Sequence, residues 1–291
     1  MDLSIITVTW NSIDHIGEQM RSVMRGAMGI SYEHIIVDNA STDGTADLVA
    51  REFPQCTLIR QIKNIGFARG NNTAFLTAKG NFLLFLNPDM RVEEGSLRTI
   101  VTYLRQHESI GIATCRLNRE DGSYNWDASP RRFPQLRDQI ALLLKLPHVF
   151  PQLLHRYLQH DLDIYTEQSV DSVRGAFMLV RRKVVEQLGF VFDPRYHMWF
   201  EDVDTCREAK QLGWDVVYTP IISCVDYVGQ SAKKQPDLWR QQEFTRSMCT
   251  YFKKWEPWYV WMWIALLRPV GIFLVWMRSV MFHENKKTIK Q

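Results

Sequence analysis

Four short runs in this 291-residue chain hold side chains able to do chemistry. The first is Val37-Asp38-Asn39-Ala40-Ser41-Thr42-Asp43-Gly44-Thr45, where an apolar run ends on a carboxylate and passes into turn-forming residues. At a strand tip Asp38 can accept a hydrogen bond from an imide N–H, while Ser41 and Asp43 shape the turn and its backbone donors. A capped strand-to-helix turn uses the same residues, so both readings stand. The second run, Asn64-Ile65-Gly66-Phe67-Ala68-Arg69-Gly70-Asn71-Asn72, puts glycines and asparagines before a helix. That composition suits backbone closely approached by a ligand, with Arg69 able to meet phosphate. It lacks the G-x-G-x-x-G spacing of a dinucleotide fingerprint.

The third run is Leu86-Asn87-Pro88-Asp89. A carboxylate beside an amide oxygen is a hard-oxygen donor set suited to Mg²⁺ or Mn²⁺, ions that share their shell with water and substrate phosphates. A type I turn with proline at its second position is the structural alternative. The fourth, Trp199-Phe200-Glu201-Asp202-Val203-Asp204, sets three acids at a helix start behind an apolar lead-in. Acids there favour the helix dipole, and one enclosed carboxylate could also take a proton from an incoming hydroxyl.

These runs need elements to hold them. Leu3 to Thr9 is a β-branched run long enough for a strand buried on both faces. Ile13, Ile16, Met20, Val23 and Met24 recur at helical spacing, with Asp14 as the expected N-terminal cap. Further strands are expected at 35–38, 57–62, 82–86 and 174–181, and helices at 45–53, 69–79, 94–107, 184–188 and 203–212. Alternation of this kind predicts an α/β fold with a mostly parallel central sheet and helices on both faces. Ligands bind such sheets beyond the carboxyl ends of the strands, where the first three runs fall. The segment 118–170 shows no strand pattern and carries a leucine-rich stretch from Gln139 to Leu158.

From Trp258 to Phe282 the chain is almost wholly apolar, broken by Arg268, Pro269, Gly271 and Arg278. Five of the ten tryptophans (255, 258, 261, 263 and 276) crowd here, flanked by Lys253, Lys254, Lys286 and Lys287, a pattern suited to headgroup depth. An arginine at the centre costs a spanning helix about 2.5–3.5 kcal/mol. The segment is therefore expected to lie on a membrane surface and not cross it, the alternative being a buried helical hairpin that completes the fold. A 1–255 catalytic domain followed by a 256–291 membrane-associating helical segment is the expected division.

Composition bounds the rest. With 46% hydrophobic and 23% charged residues, disorder and fibrous repeats are excluded, and a net charge of +3 demands no nucleic acid partner. Five cysteines without metal-type or redox-type spacing fit a reducing compartment, and because Met1-Asp2 runs straight into a short apolar run ending in Thr9, a cytoplasmic chain without a signal peptide is expected.

In this order the four runs resemble glycosyltransferase family 2 of the GT-A fold, and most of all its bacterial rhamnosyltransferase-like branch for cell-surface polysaccharides, over about 1–255. The resemblance implies an inverting, metal-dependent hexosyltransferase that moves a sugar from a nucleoside-diphosphate donor, dTDP-rhamnose or a UDP-sugar. The acceptor it implies is a lipid-linked oligosaccharide or polyprenyl-diphosphate-sugar at the cytoplasmic face of the cell membrane. It assigns Thr9, Asn11, Asp38, Asn39 and Asp43 to the nucleotide pocket and Gly66, Arg69, Asn71 and Asn87 to the donor. Asp89 falls at the metal-touching acid, Gly175-Ala176-Phe177 at an acceptor-side strand, and Glu201-Asp202 at the catalytic acid pair with Asp202 as base. Asp226 stands where the family often has histidine, with Gly229 three residues on. Aspartate can serve Mg²⁺ as an oxygen ligand, and the same change also suits altered donor handling or lost turnover. A catalytically inactive partner protein is accordingly the main rival. A sugar-phosphate nucleotidyltransferase would want a Gly-rich basic signature after the first strand, and Thr9-Trp10-Asn11-Ser12 is not one.

Overall fold

In a computed structural model, which describes residues 1–227 and 235–288 (backbone alone from 282), β1 (Leu3–Thr9) is buried along its whole length. Its side chains alternate, Leu3 and Ile5 entering one core and Ile6 and Val8 the other. β2 (Tyr32–Asp38) and β4 (Phe82–Leu86) flank it in parallel register, and β3 (Thr57–Arg60) extends that half of the sheet. α1 (Ile13–Gly26) and α4 (Ser96–Gln106) cover one face, while α3 (Phe67–Phe75) packs on the other. α2 (Thr45–Glu52) packs beside α1. Each fully buried Leu, Ile or Phe on either face contributes about 1.5–3 kcal/mol.

The parallel pairing expected from the alternation runs through this first half and returns only once beyond it, the other pairs being antiparallel. β5 (Met90–Val92), β6 (Ile110–Asn118), β7 (Gln168–Ser169), β8 (Phe177–Arg181) and β9 (Asp215–Asp226) complete one sheet of order β3-β2-β1-β4-β8-β6-β9-β5, with β7 on β9. β6 and β9 pair in parallel, while β8 runs antiparallel to both β4 and β6, and β5 and β7 run antiparallel to β9, so the sheet is mixed. Alternating strand and helix patterns announce only parallel crossovers. β5 has three residues, and β6 opens Ile-Gly-Ile-Ala, too small and glycine-rich to stand out.

α5 (Leu136–Leu143) lies in the leucine-rich segment, followed by 3-10 turns at Leu146–His148 and Pro151–Leu154. α6 (Arg182–Leu188) and α7 (Glu201–Gln211) follow β8. α8 (Asp237–Trp255), unannounced by periodicity, and α9 (Trp258–Thr288) form a hairpin at the end of the chain. α9 is docked along one face: Ile264 is buried in the main core, and Arg268 Nε donates to Thr245 Oγ1 at 3.1 Å. At Gly271 a Cβ would stand 2.9 Å from the Leu143 carbonyl oxygen. Arg268 thus turns to α8 and away from the exposed apolar face of the helix. The opposite face of α9 is exposed and apolar.

Candidate functional site

The strand order reverses between β1 and β4, and a cleft of about 330 Å³ opens beyond their carboxyl ends. Thr9 and Asp38 are register neighbours at the tips of β1 and β2, and Asn39 N–H donates to the Thr9 carbonyl at 2.8 Å. Asp38 accepts from Ser41 N–H at 3.0 Å on one oxygen, and Asn39 Nδ2 donates to the Gly66 carbonyl at 3.1 Å. Thr9 Oγ1, Asp38 Oδ1 and Asn39 Oδ1 are buried without a hydrogen-bond partner in the protein. Three orphaned acceptors at adjoining strand tips are costly unless a ligand supplies donors, which is what a base and ribose carry.

Asn11 and Asp43 hold the loops around these tips. Asn11 sits at φ 51°, and its Oδ1 accepts from Thr42 N–H at 2.8 Å. Asp43 accepts from Thr45 N–H at 3.0 Å and from Ile13 N–H at 3.1 Å. Although burial acts upward on it, these bonds and the Thr45 hydroxyl hold Asp43 below the usual carboxylate range. Asp43 therefore caps α1 from a separate loop. The expected cap, Asp14, lies inside the first turn.

In the second run the closely approached backbone meets the chain itself. Gly66 has φ +87°, and a Cβ there would stand 2.5 Å from His197 Nδ1, while Phe67 N–H donates to the His197 carbonyl at 2.8 Å. Only glycine fits both constraints. Asn71 is buried and donates to the Phe67 carbonyl at 2.9 Å, and Asn72 clasps the backbone of Val191 and Phe192. Arg69 is exposed on α3, where its Nε donates to the Pro194 carbonyl at 3.2 Å. Gly66 lines the cleft with Thr9, Asn39 and Asn87; Arg69 and Asn71 do not, and Asn11, Asp38 and Asp43 stand behind its wall.

The third run makes its turn, with Met90 N–H donating to the Asn87 carbonyl at 3.3 Å, and still presents Asp89 to the cleft. Tyr227 N–H donates to the Asp89 carbonyl at 3.1 Å, and Asp226 pairs with Met90 across β5 and β9, which brings two buried acids from distant sequence to one wall. Asn125 Nδ2 donates to Asp226 Oδ2 at 3.1 Å. Among the described residues no group of three or more His, Cys, Asp or Glu could hold a metal. Asp89 and Asp226 therefore fit an ion of the Mg²⁺ or Mn²⁺ kind only in company with substrate phosphate and water, its usual habit. The run from Val228 to Ser231, with Gly229, lies outside the described residues.

The fourth run is strained at its entrance: Trp199 and Phe200 hold φ of 68° and 70°. Left-handed backbone at two bulky residues costs about 1–3 kcal/mol each and persists only where surroundings enforce it. Here the Trp199 and Phe200 rings pack on Phe244 of α8. The three acids that follow have separate fates. Asp202 Oδ2 accepts from Gly175 N–H at 3.0 Å and Oδ1 from Val203 N–H at 2.8 Å, with Arg174 Nε 4.0 Å away. Asp204 points away from the cleft to Lys254 Nζ at 2.6 Å and Trp255 Nε1 at 2.6 Å. Burial, reinforced by the Asp202 charge, pushes Glu201 up to about 8, and its Oε2 has no protein partner. Burial thus biases Glu201 toward its neutral form, while Asp202 has both carboxylate oxygens fixed by backbone donors.

That shift has a stability consequence. A carboxyl whose folded pKa lies above its unfolded value stabilises the fold at low pH and loses that contribution as pH rises to about 8. Glu201→Gln is therefore expected to gain stability relative to the parent as pH rises from about 5 to 8, read by denaturant titration at each pH. A constant difference between the two proteins would contradict the assignment.

The cleft also gathers residues that the sequence did not single out, Asn125, Arg131, Tyr157, Arg174, His197 and Trp239 among them. Three of these, Asn125, Arg131 and Tyr157, come from the segment without periodic pattern, where no local signal marks them.

Comparison with known proteins agrees with this geometry. Residues 4–189 match the model of the glycosyl transferase family 2. Rhamnosyltransferase WbbL of Escherichia coli is 29% identical over 175 residues, which cover 56% of this chain and 61% of that protein. The N-acetylglucosaminyl-diphospho-decaprenol L-rhamnosyltransferase of Mycobacterium tuberculosis is 25% identical over 246 residues, covering 80% and 78%. A mannosyltransferase from Pyrobaculum calidifontis, solved with GDP-Man and Mn²⁺, superposes with a TM-score of 0.59 at 20% identity over 94% of this chain and 72% of that one. At that identity the likeness speaks for the fold, the GT-A arrangement. The family match spans β1 through β8, including the strand tips that build the cleft, and the chain belongs to glycosyl transferase family 2.

Proposed function

We propose that this protein transfers a sugar, with inversion, from a nucleoside-diphosphate donor such as dTDP-rhamnose or a UDP-sugar to a hydroxyl of a lipid-linked glycan acceptor. One observation carries the reading: a single cleft is lined by Thr9 and Asn39 with their unpartnered side-chain oxygens, by Asp89 and Asp226, and by the doubly hydrogen-bonded Asp202. The nucleoside would satisfy Thr9, Asp38 and Asn39. A divalent ion held by Asp89 and Asp226 would supply charge neutralisation to the diphosphate leaving group. Asp202 takes the acceptor proton as the hydroxyl oxygen bonds to the anomeric carbon and the bond from that carbon to the diphosphate oxygen breaks. The Gly175 and Val203 amides fix the carboxylate for that transfer. Glu201 beside it, biased by burial toward its neutral form, competes less for that proton. The mycobacterial relative's name specifies a diphospho-decaprenol-linked acceptor, which supports a polyprenyl-diphosphate-sugar here.

Calorimetric titration with UDP and dTDP, each with Mn²⁺ or with EDTA, tests the donor side. Metal-dependent binding of one nucleotide is expected, and Asp89→Ala should remove the metal dependence. Binding of neither nucleotide by the unmodified chain would sink the donor assignment and favour the inactive-partner reading.

The membrane reading rests on α9. Trp258–Met281 is long and apolar enough to cross a membrane, with a mean hydropathy of 1.8. Its inner face, however, is tied to the domain at Ile264, Arg268 and Gly271. Exposed Trp263, Leu266, Val270, Phe273, Met277 and Val280 follow at alternating spacings of three and four, one continuous stripe. Exposed Leu146, Val149, Phe150 and Leu153 follow α5, which packs on α9. A helix docked on one side and apolar on the other suits the surface of the cytoplasmic leaflet. The full chain is expected to sediment with phosphatidylglycerol vesicles, and Phe273→Glu with Met277→Glu to reduce this about tenfold or more while sparing nucleotide affinity. Unchanged sedimentation would refute surface binding through this stripe.

A further inference from the structure

Arg131 and Arg174 open on the cleft beside Asp202, and no step described so far uses them. Arg131 is set by paired backbone hydrogen bonds with Ser172, 3.0 Å each way. Its Nη2 donates to the Asp127 carbonyl at 2.9 Å, its guanidinium carbon lies 5.7 Å from the Tyr157 ring centroid, and its buried Nε has no partner. Burial first, then the neighbouring Arg174 charge, pull Arg131 down to about 10. The Arg174 contact to Asp202, at 4.0 Å, is too long for a hydrogen bond. Two guanidinium groups close enough to repel, one with an unpaired buried donor, are stabilised by a ligand bringing several anionic oxygens.

The carboxylates at hand do not fill that place. Asp202 is occupied by two amides, and the Asp127 side chain turns to Arg119 at 3.2 Å. The donor's diphosphate belongs with Asp89 and Asp226. The arginines come instead from the loop after β6 and the loop before β8, on the side that carries Asp202. Tyr157, the ring beside Arg131, follows the turns that expose Val149, Phe150 and Leu153. An apolar surface and a pair of phosphate-type donors are thus joined by one short stretch of chain.

We propose that Arg131 and Arg174 bind the phosphate groups of an isoprenoid-linked acceptor and so place its sugar hydroxyl against Asp202. This rests on the glycosyl-transfer reading above. The test is calorimetric titration of the full chain with farnesyl diphosphate and with farnesol, in the presence and absence of saturating nucleoside diphosphate and Mn²⁺. Farnesyl diphosphate is expected to bind in both conditions. Arg131→Gln and Arg174→Gln should each weaken it about tenfold or more, leaving farnesol and nucleotide affinities unchanged, with partial recovery in Arg174→Lys. Intact nucleotide binding certifies that a variant is folded, and Arg174→Gln carries the test should Arg131→Gln not fold. Displacement of farnesyl diphosphate by nucleotide would assign the pair to the donor and overturn the proposal, as would equal affinity in parent and variants. If no nucleotide binds, the donor reading fails by itself, while the titration without nucleotide still reports on the arginines.

Discussion

Replacing Asp202 with asparagine is expected to lower kcat by about 10²–10⁴-fold, the range supplied by a positioned general base. The carboxylate stands at the first turn of α7 with one oxygen on Gly175 N–H and the other on Val203 N–H. An amide can offer an acceptor to only one of those donors, so the variant loses both the basic oxygen and one fixing bond. Donor affinity should not change, because the nucleotide's orphaned partners lie at the β1 and β2 tips and not on α7. Steady-state kinetics beside calorimetry with the matching nucleotide separates the two terms. A parallel loss of nucleotide affinity would show a collapsed cleft and not a missing base. Undiminished kcat would move the base elsewhere, with Glu201 the nearest alternative.

The second large effect is on stability. Lys254, in the last turn of α8, holds Asp204 at 2.6 Å, Glu208 at 2.7 Å and Asp193 at 3.5 Å. The Asp204 carboxylate is fully enclosed and the lysine itself only 17% exposed. Removing one partner from such a cluster strands buried charge, so Lys254→Met is expected to cost about 3–5 kcal/mol of unfolding free energy. The pH dependence gives the mechanism a signature. Burial already raises Asp204 and Glu208 in the presence of Lys254, so each stabilises the fold at low pH and less as pH rises. Without the ammonium both move further up. The deficit of the variant should therefore be smaller at about pH 5 than at about pH 8, measured by denaturant titration. An equal deficit at both would assign the loss to the contact of the Lys254 ammonium with the Trp255 ring, 5.2 Å from Nζ to the centroid.

These two positions show how differently parts of the site could be read in advance. Asp202 lies in a run whose composition already suggests a helix start with an acid turned to function. Lys254 reads only as a cation flanking an apolar tail, because its three partners stand 46 to 61 residues away. Asp204, indistinguishable from Asp202 by composition, becomes structural for the same reason. Gly66 was legible as a close approach, but that His197 makes it depended on a loop 131 residues on. Arg69 looked like a phosphate ligand, and the rotation of α3 turned it outward to Pro194.

The sequence by itself determined what short-range periodicity and turn chemistry can encode: the parallel strands β1 to β4, the helices between them, and the polar strand tips that open the cleft. It also marked the apolar stretch of α9 and the residues around Asp38, Asp89 and Asp202. The tertiary structure decided everything that depends on contacts between distant segments. It joined Asp226 to Asp89 through the β5–β9 pairing and brought Arg131, Asn125 and Tyr157 from an unpatterned segment to the cleft wall. It turned Arg268 from a charge facing lipid into a donor to Thr245. The physical reason is common to all of these. A side chain's local fold follows from its neighbours in sequence, but its charge state and partners are set by whichever remote surface packs against it, and no spacing rule records that.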